Sequence, residues 1–229
     1  MISDKEIVCP NNLLNVAHKK KGVSAGIVNA GKPLPMLSVV DAVKEELIIP
    51  TFIGDKKEIE KCANDLKFDI SKFDIVNEPD ENSTAKAAAK LASENKIKII
   101  VKGHIHTDVL MKEVIKKEYN LIGKTRLSHI WHMTLDKEDK PLIITDGALN
   151  VLPNVKTKMH ILKNVINFCN RIGTERPKVS VLSATEEVLD SVQSSLDARE
   201  ITELAKKENL NADVFGPLAF DNSISKKSA

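Results

Sequence analysis

The densest group of reactive side chains in this sequence lies in KGHIHTD (102–108), where His104, His106 and Asp108 occupy alternate positions directly after an apolar run. Imidazole nitrogens and a carboxylate at that spacing can hold a divalent metal. Hydrolases that use HxHxDH carry one more histidine where Val109 stands here. A zinc site also needs ligands from elsewhere in the chain, and only His18, His129, His132 and His160 remain to supply them. A second chemistry needs no metal. Where a strand opens into a helix, unpaired N–H groups and the helix dipole favour an anion such as phosphate. A third reading gives Thr107 or Asp108 only the work of capping that helix.

Four further stretches place polar residues where an apolar run stops. RLSHIWH (126–132) offers Ser128 and His129, with alternation putting His129 and Trp131 on one face; a satisfied histidine beside a core tryptophan fits equally well. ITDGALN (144–150) offers Asp146 and Asn150, one to cap and the other to reach a ligand. In LSATE (182–186), Ser183 and Thr185 read as helix caps rather than catalysts. GPLAFDN (216–222) places Asp221 and Asn222 after a Gly-Pro turn, where capping a short helix and lining a cleft weigh the same. There is no GxxxxGK[ST], no GxGxxG and no GxSxG. A nucleotide-bearing ligand would depend on surface loops and scattered basic groups.

The elements that must carry these residues alternate between strand and helix. Strands are expected at 23–28, 47–54, 73–76, 97–103, 178–183 and 212–216. Pro50 either demotes the start of its strand or marks an edge, because proline cannot donate to a ladder. The almost unbroken apolar run of 97–103 reads as a strand buried on both faces. Helices are expected at 55–66, with Asp55 and Glu58 as a capping box; at 83–95, with Ala85, Ala88 and Ala92 inward; and at 107–117. A helix over 155–172 is the clearest, ended by Gly173 and Pro177, and another covers 194–208 with Ser194 and Asp197 as its box. The runs 127–134 and 141–146, joined by the polar turn 136–140, suggest an antiparallel hairpin. Regular alternation of this kind argues for an α/β fold with a mostly parallel sheet.

Composition sets outer limits. The chain has 229 residues, 42% hydrophobic and 29% charged, with a formal net charge of +2. The lysines are scattered among acids, which argues against a dedicated nucleic-acid face. No apolar stretch approaches a bilayer span, and the first residues lack a signal-peptide core. Cys9, Cys62 and Cys169 are widely spaced without a CxxC pair, which suits a reducing cytoplasm.

GPLAFDN with its following NSIS, PKVSVLSATE (177–186), LIITDGALN (142–150), KGHIHTD and RLSH (126–129) together resemble the phosphate acetyltransferase and phosphate butyryltransferase family, in its butyryltransferase-like branch. The resemblance implies two doubly wound α/β/α domains with an interdomain cleft, similar to isocitrate dehydrogenase, here taken as 1–145 and 146–229. KGHIHTD and ITDGALN both follow apolar strands and start helices, and are expected to lie near each other at that cleft. The resemblance implies acyl transfer between CoA and inorganic phosphate, acyl-CoA plus phosphate giving acyl phosphate plus CoA, with CoA as substrate and no cofactor. It favours the anion reading of His104, His106, Thr107 and Asp108. It also brings in Lys112, which stands where relatives often carry arginine on the first turns of the helix. The family's proposed thiol base, an aspartate, and its Ser-Arg pair lie in a terminal segment beyond Ala229, so no catalytic residue is assigned within 1–229. Two alternatives stay open: a truncated, non-catalytic relative that keeps an anion-binding cleft, and a metal-dependent hydrolase using His104, His106 and Asp108. A cytoplasmic homo-oligomer is expected, with no nucleic-acid or membrane partner. A chain ending at Ala229 is expected to self-associate and to turn over slowly.

Overall fold

β1 (Val23–Val28) is the strand around which the first half of the chain is built, and its last four residues are buried. The structure, a computed structural model, describes residues 8–134, 141–147, 149–225 and 227–228. It divides into two compact units, Met1–Gly123 and Lys124–Ala229. The expected boundary near Thr145 falls within the second.

In the first unit, β1 pairs in parallel with β2 (Ile48–Gly54) on one side and β4 (Ile99–Lys102) on the other, and β2 pairs with β3 (Ile75–Asn77). The order is β3-β2-β1-β4. Helices cover both faces. α2 (Pro33–Lys44) and α3 (Lys56–Asp65) supply Met36, Val39, Ile59 and Cys62 to a core with Ile27 and Phe52. α4 (Glu81–Ser93) and α5 (Thr107–Val114) supply Ala85, Ala88 and Leu110 to a core with Val28 and Ile53. A short helix α1 (Asn11–Ala17) precedes β1. The small residues on α4 let it approach the sheet closely, as their spacing suggests, with Ala89 rather than Ala92 fully buried. Asp55 accepts from the Glu58 N–H at 2.9 Å, so the expected cap of α3 is present.

Two strand expectations are corrected. β2 is an interior strand despite Pro50, which is buried opposite Ala25. Its partner β3 begins only opposite Phe52, whose N–H reaches the carbonyl of Asp74, so proline's missing donor falls where there is no acceptor to lose. β4 is not buried throughout: Ile99 and Lys102 are exposed, Ile100 and Val101 are only partly buried, and among the described strands it ends the sheet.

In the second unit, β5 (Ile130–Met133) and β6 (Leu142–Thr145) form the expected antiparallel hairpin, with Ile130 opposite Thr145. Its turn, 135–140, lies outside the described residues. β7 (Lys178–Leu182) and β8 (Asp213–Leu218) pair in parallel. α6 (Val155–Arg171) and α7 (Gln193–Lys207) pack over them through Met159, Leu162, Ile166, Ile201 and Ala205. A five-residue helix, α8 (Phe220–Ile224), follows β8.

The expected capping box of α7 is absent. The helix starts at Gln193, Ser194 turns to the Ser183 hydroxyl at 2.9 Å, and Asp197 faces α6. There it accepts from Lys158 Nζ at 2.6 Å and from Gln193 Nε2 at 2.7 Å. Burial pushes the Asp197 carboxyl up, but the bonds from Lys158 and Gln193 outweigh it and hold the carboxyl below its usual range. Asp197→Ala would leave the half-buried Lys158 ammonium without its partner. The expected cost is about 2–3 kcal/mol, read from urea unfolding.

Candidate functional site

The strand order of the first unit has one reversal. β1, β2 and β3 step one way, and β4 returns to the other flank of β1. In open α/β sheets, ligands bind outside the carboxyl ends of the strands at such a switch point. The residues brought there are Asn29–Gly31 after β1 and Gly103–Asp108 after β4.

These two loops are joined backbone to backbone. The Gly103 N–H donates to the Val28 carbonyl at 2.8 Å, the His104 N–H to the Asn29 carbonyl at 3.0 Å, and Asn29 Nδ2 to the His104 carbonyl at 2.5 Å. Asn29 holds a φ of 57°, a left-handed conformation that asparagine tolerates better than most residues. A Cβ on Gly103 would stand 2.4 Å from the Val28 oxygen and 2.6 Å from that of Asn29, so only glycine allows this approach.

Past Gly103 the chain turns outward. Ile105 is buried, while His104, His106, Thr107 and Asp108 are exposed around the start of α5. His106 is the cap residue of α5, and its side chain makes no capping bond. It is held instead by Glu81, the first residue of α4, whose Oε2 accepts from the His106 backbone N–H at 3.2 Å and lies 2.8 Å from Nδ1. The hydrogen bond that the His106 ring donates to Glu81 raises the imidazolium above its ordinary range, and the bonds from His106 lower the Glu81 carboxyl. Lys112 is the sixth of the eight residues of α5 and so lies in both its second and its last turn. Asp108 and Lys112 are four apart and so share a helix face, and Cβ bonds tilt toward the N-terminus, which leans Lys112 that way.

Among the described residues, no three His, Cys, Asp or Glu side chains gather as a metal would need. His104, His106 and Asp108 therefore do not converge, since alternate positions at a strand–helix junction splay outward and Glu81 holds the one ring that is fixed.

The second unit collects the remaining candidates in two places. At the base of the hairpin, Asp146 Oδ1 accepts from the His129 N–H at 2.6 Å, and Oδ2 accepts from the Asn150 N–H and Nδ2, both at 2.8 Å. Asn150 Nδ2 also donates to the Leu127 carbonyl. Burial pushes the Asp146 carboxyl up, but these hydrogen bonds prevail and leave it below the usual carboxylate range. His129 and Trp131 share a face with ring centroids 4.9 Å apart. Ser128 Oγ accepts from Asn164 Nδ2 of α6 at 3.0 Å. Ala148 lies outside the described residues.

The carboxyl ends of β7 and β8 form the other place, where the Ser183 N–H donates to the Leu218 carbonyl at 2.9 Å. Ser183 and Thr185 do not cap a helix as expected. The segment is a series of turns in which Thr185 Oγ1 accepts from the Glu187 N–H at 3.1 Å. GPL belongs to β8 rather than to a turn, and Asp221 and Asn222 sit in the first turn of α8 without a side-chain capping bond. Asp221 is exposed.

The sequence reading missed Asn29 and Glu81. Asn29 follows the apolar strand 23–28 as His104 follows 99–102, so the same strand-end logic applied to β1 would have found it. Glu81 bore no signal beyond its place at a helix start.

The chain was compared with known proteins. Residues 81–229 match the family described as Phosphate acetyl/butaryl transferase. A phosphate acetyltransferase of Rickettsia typhi is 35% identical over 216 residues, which is 93% of this chain and 62% of that protein. A phosphate butyryltransferase of Clostridium acetobutylicum is 33% identical over 214 residues, 92% of this chain and 71% of that protein. A crystal structure of a branched-chain phosphotransacylase from Enterococcus faecalis V583 has a TM-score of 0.75 at 29% identity, covering 90% of this chain and 72% of that one. The chain thus spans less than two thirds of the length of the Rickettsia relative. With the family match extending over every candidate residue from His104 to Asn222, the chain belongs to the phosphate acetyl/butyryl transferase family.

Proposed function

We propose that this chain carries the phosphate side of an acyl transfer between CoA and inorganic phosphate, the acyl group being acetyl or butyryl. The observation that carries this reading is the family match over 81–229, which takes in the whole of KGHIHTD and its helix. Phosphate or the acyl phosphate sits at the entrance to α5. The N–H groups of Thr107, Asp108 and Val109 are the first of the helix and have no intrahelical acceptor. His106 and Lys112 add positive charge around it, and His104 stands exposed beside it.

In the direction of acyl phosphate, a phosphate oxygen attacks the thioester carbonyl and the C–S bond breaks. The CoA thiolate leaves and takes up a proton. In reverse, the thiolate attacks the acyl phosphate and the C–O bond to phosphate breaks. The thiol must be deprotonated and the carbonyl oxygen stabilised as charge develops on it. Asp146 spends both carboxylate oxygens on His129 and Asn150. Asp108 and Asp221, both exposed, are the better candidates within 1–229 for taking the proton.

The same reading gives both units doubly wound α/β/α layering. The β3-β2-β1-β4 order supports it in the first, and the packing of α6 and α7 over β7 and β8 supports it in the second. It also makes the protein a cytoplasmic homo-oligomer. Val151 and Leu152 are 90% and 95% exposed, as apolar residues at an interface between copies would be. No described helix is long and apolar enough to cross a membrane.

The test is turnover of acetyl-CoA or butyryl-CoA with phosphate, read as thiol release and as acyl phosphate trapped by hydroxylamine. Acyl phosphate formed in step with thiol supports the transferase reading. Phosphate binding without turnover supports the non-catalytic alternative. Lys112→Ala is expected to weaken phosphate binding about threefold or more, the scale of one exposed charge, in a calorimetric titration of the folded variant.

A further inference from the structure

The proposed anion site contains one ring whose position is fixed by a residue that no motif includes. Glu81 Oε2 receives the His106 backbone N–H at 3.2 Å and lies 2.8 Å from Nδ1. A carboxylate only accepts hydrogen bonds, so Nδ1 carries the proton and Nε2 is the atom left for a ligand. The carboxylate is itself anchored. Asp80 caps α4 by accepting from the Asn82 and Ser83 N–H groups at 2.9 and 3.0 Å, which sets the first turn that bears Glu81.

We propose that Glu81 is a positioning residue of the phosphate-binding loop, acting through His106: it fixes the imidazole with Nδ1 turned to the carboxylate and Nε2 presented to the anion. This rests on the reading of the α5 entrance as the phosphate site. Charge on His106 is what an anion gains from, because a protonated ring offers an Nε2–H donor where a neutral ring in this tautomer offers only a lone pair.

The groups that act on the ring come from three elements. Glu81 on α4 raises its proton affinity most, Asp108 on α5 adds to this, and Lys102 on β4 opposes it. His104 stands near the Glu81 carboxylate. A raised imidazolium is charged below its shifted value and loses charge as pH rises through it. Anion affinity is therefore present on the acid side and lost on the alkaline side.

Sulfate is the suitable probe, since its charge does not change between about pH 5.5 and pH 8.5, where histidine titrates. Glu81→Gln retains a carbonyl oxygen that can accept both His106 bonds and removes only the charge. In the unaltered chain, sulfate affinity is expected to fall about threefold or more across this range. In Glu81→Gln, the His106 ring followed by NMR should titrate at lower pH, and the fall in sulfate affinity should move down with it. His106→Gln should abolish the pH dependence and serves as the second variant if Glu81→Gln does not fold. Sulfate affinity that follows the same pH profile in Glu81→Gln as in the unaltered chain overturns the role of Glu81. Binding that persists unchanged in His106→Gln at every pH does so as well. Sulfate that fails to bind the unaltered chain at any pH overturns the phosphate reading, and the inference falls with it.

Discussion

Gly103→Ala is expected to cost the first unit about 3 kcal/mol and to displace the loop that follows. The added methyl would meet the Val28 oxygen at 2.4 Å and the Asn29 oxygen at 2.6 Å. Both are backbone atoms, one of the last residue of the buried strand β1 and one of the residue that follows it, so neither can rotate aside as a side chain would. Overpacking of this kind typically costs about 1–3 kcal/mol and sometimes more, and the upper end applies because the obstructing strand is the central one. Urea unfolding measures the loss, and phosphate titration of the folded fraction measures the displaced loop. Gly123→Ala is the control: nothing lies within 4 Å of its Cβ position, and stability should stay within about 0.5 kcal/mol. Equal behaviour of the two variants would mean that β1 and β4 do not approach as closely as described.

Asp146→Asn is expected to destabilise the second unit by about 2–3 kcal/mol, although the two side chains have the same shape. Every partner of the Asp146 carboxylate is an N–H: that of His129, and the two from Asn150. An amide must turn its NH2 toward one of them, which loses a charge-assisted bond and leaves two donors facing each other. Because these bonds hold the folded-state carboxyl below its ordinary value of about 3.9, the stabilisation is complete above that value. It is lost as pH falls through the lower, folded-state value. The unaltered chain should therefore lose stability on acidification below about pH 4, and Asp146→Asn should lack that part of the loss. An Asp146→Asn chain with wild-type stability at neutral pH would mean that the knot at the base of the hairpin is not formed.

Periodicity and local capping were legible wherever the cause was local. Asp55 announces α3, and the polar turn between two β-rich runs announces the β5–β6 hairpin. What failed depended on neighbours that only the fold supplies. Pro50 looks like an edge residue, but its strand is interior because a short β3 leaves that one position without a partner. No helix was expected over 33–44, yet Pro33 and Pro35 fall in the first turn of α2, where no intrahelical bond is lost. Ser194 and Asp197 have box spacing, yet each finds a stronger partner, one on the loop after β7 and one on α6. At the candidate site, chemical type gave KGHIHTD from the sequence. Asn29 and Glu81 were missed because their roles arise from chain segments far apart in sequence.

The pairing of β1 with both β2 and β4 also bears on the order in which the molecule assembles. β2 follows β1 after a single helix, whereas the contact between Asn29 and His104 closes a separation of 75 residues. Loop-closure entropy must be met before such a distant contact gives anything back. The β1–β2 half of the sheet is therefore expected to form first, and the switch-point crevice to appear only when β4 docks. The amide protons of Gly103 and His104 then become reporters of that last event, and their protection in pulsed hydrogen exchange should lag behind that of Ile27 and Phe52. Binding at the proposed phosphate site during refolding would track the late protons, so a destabilised β4 would yield a chain that is mostly folded and lacks that crevice.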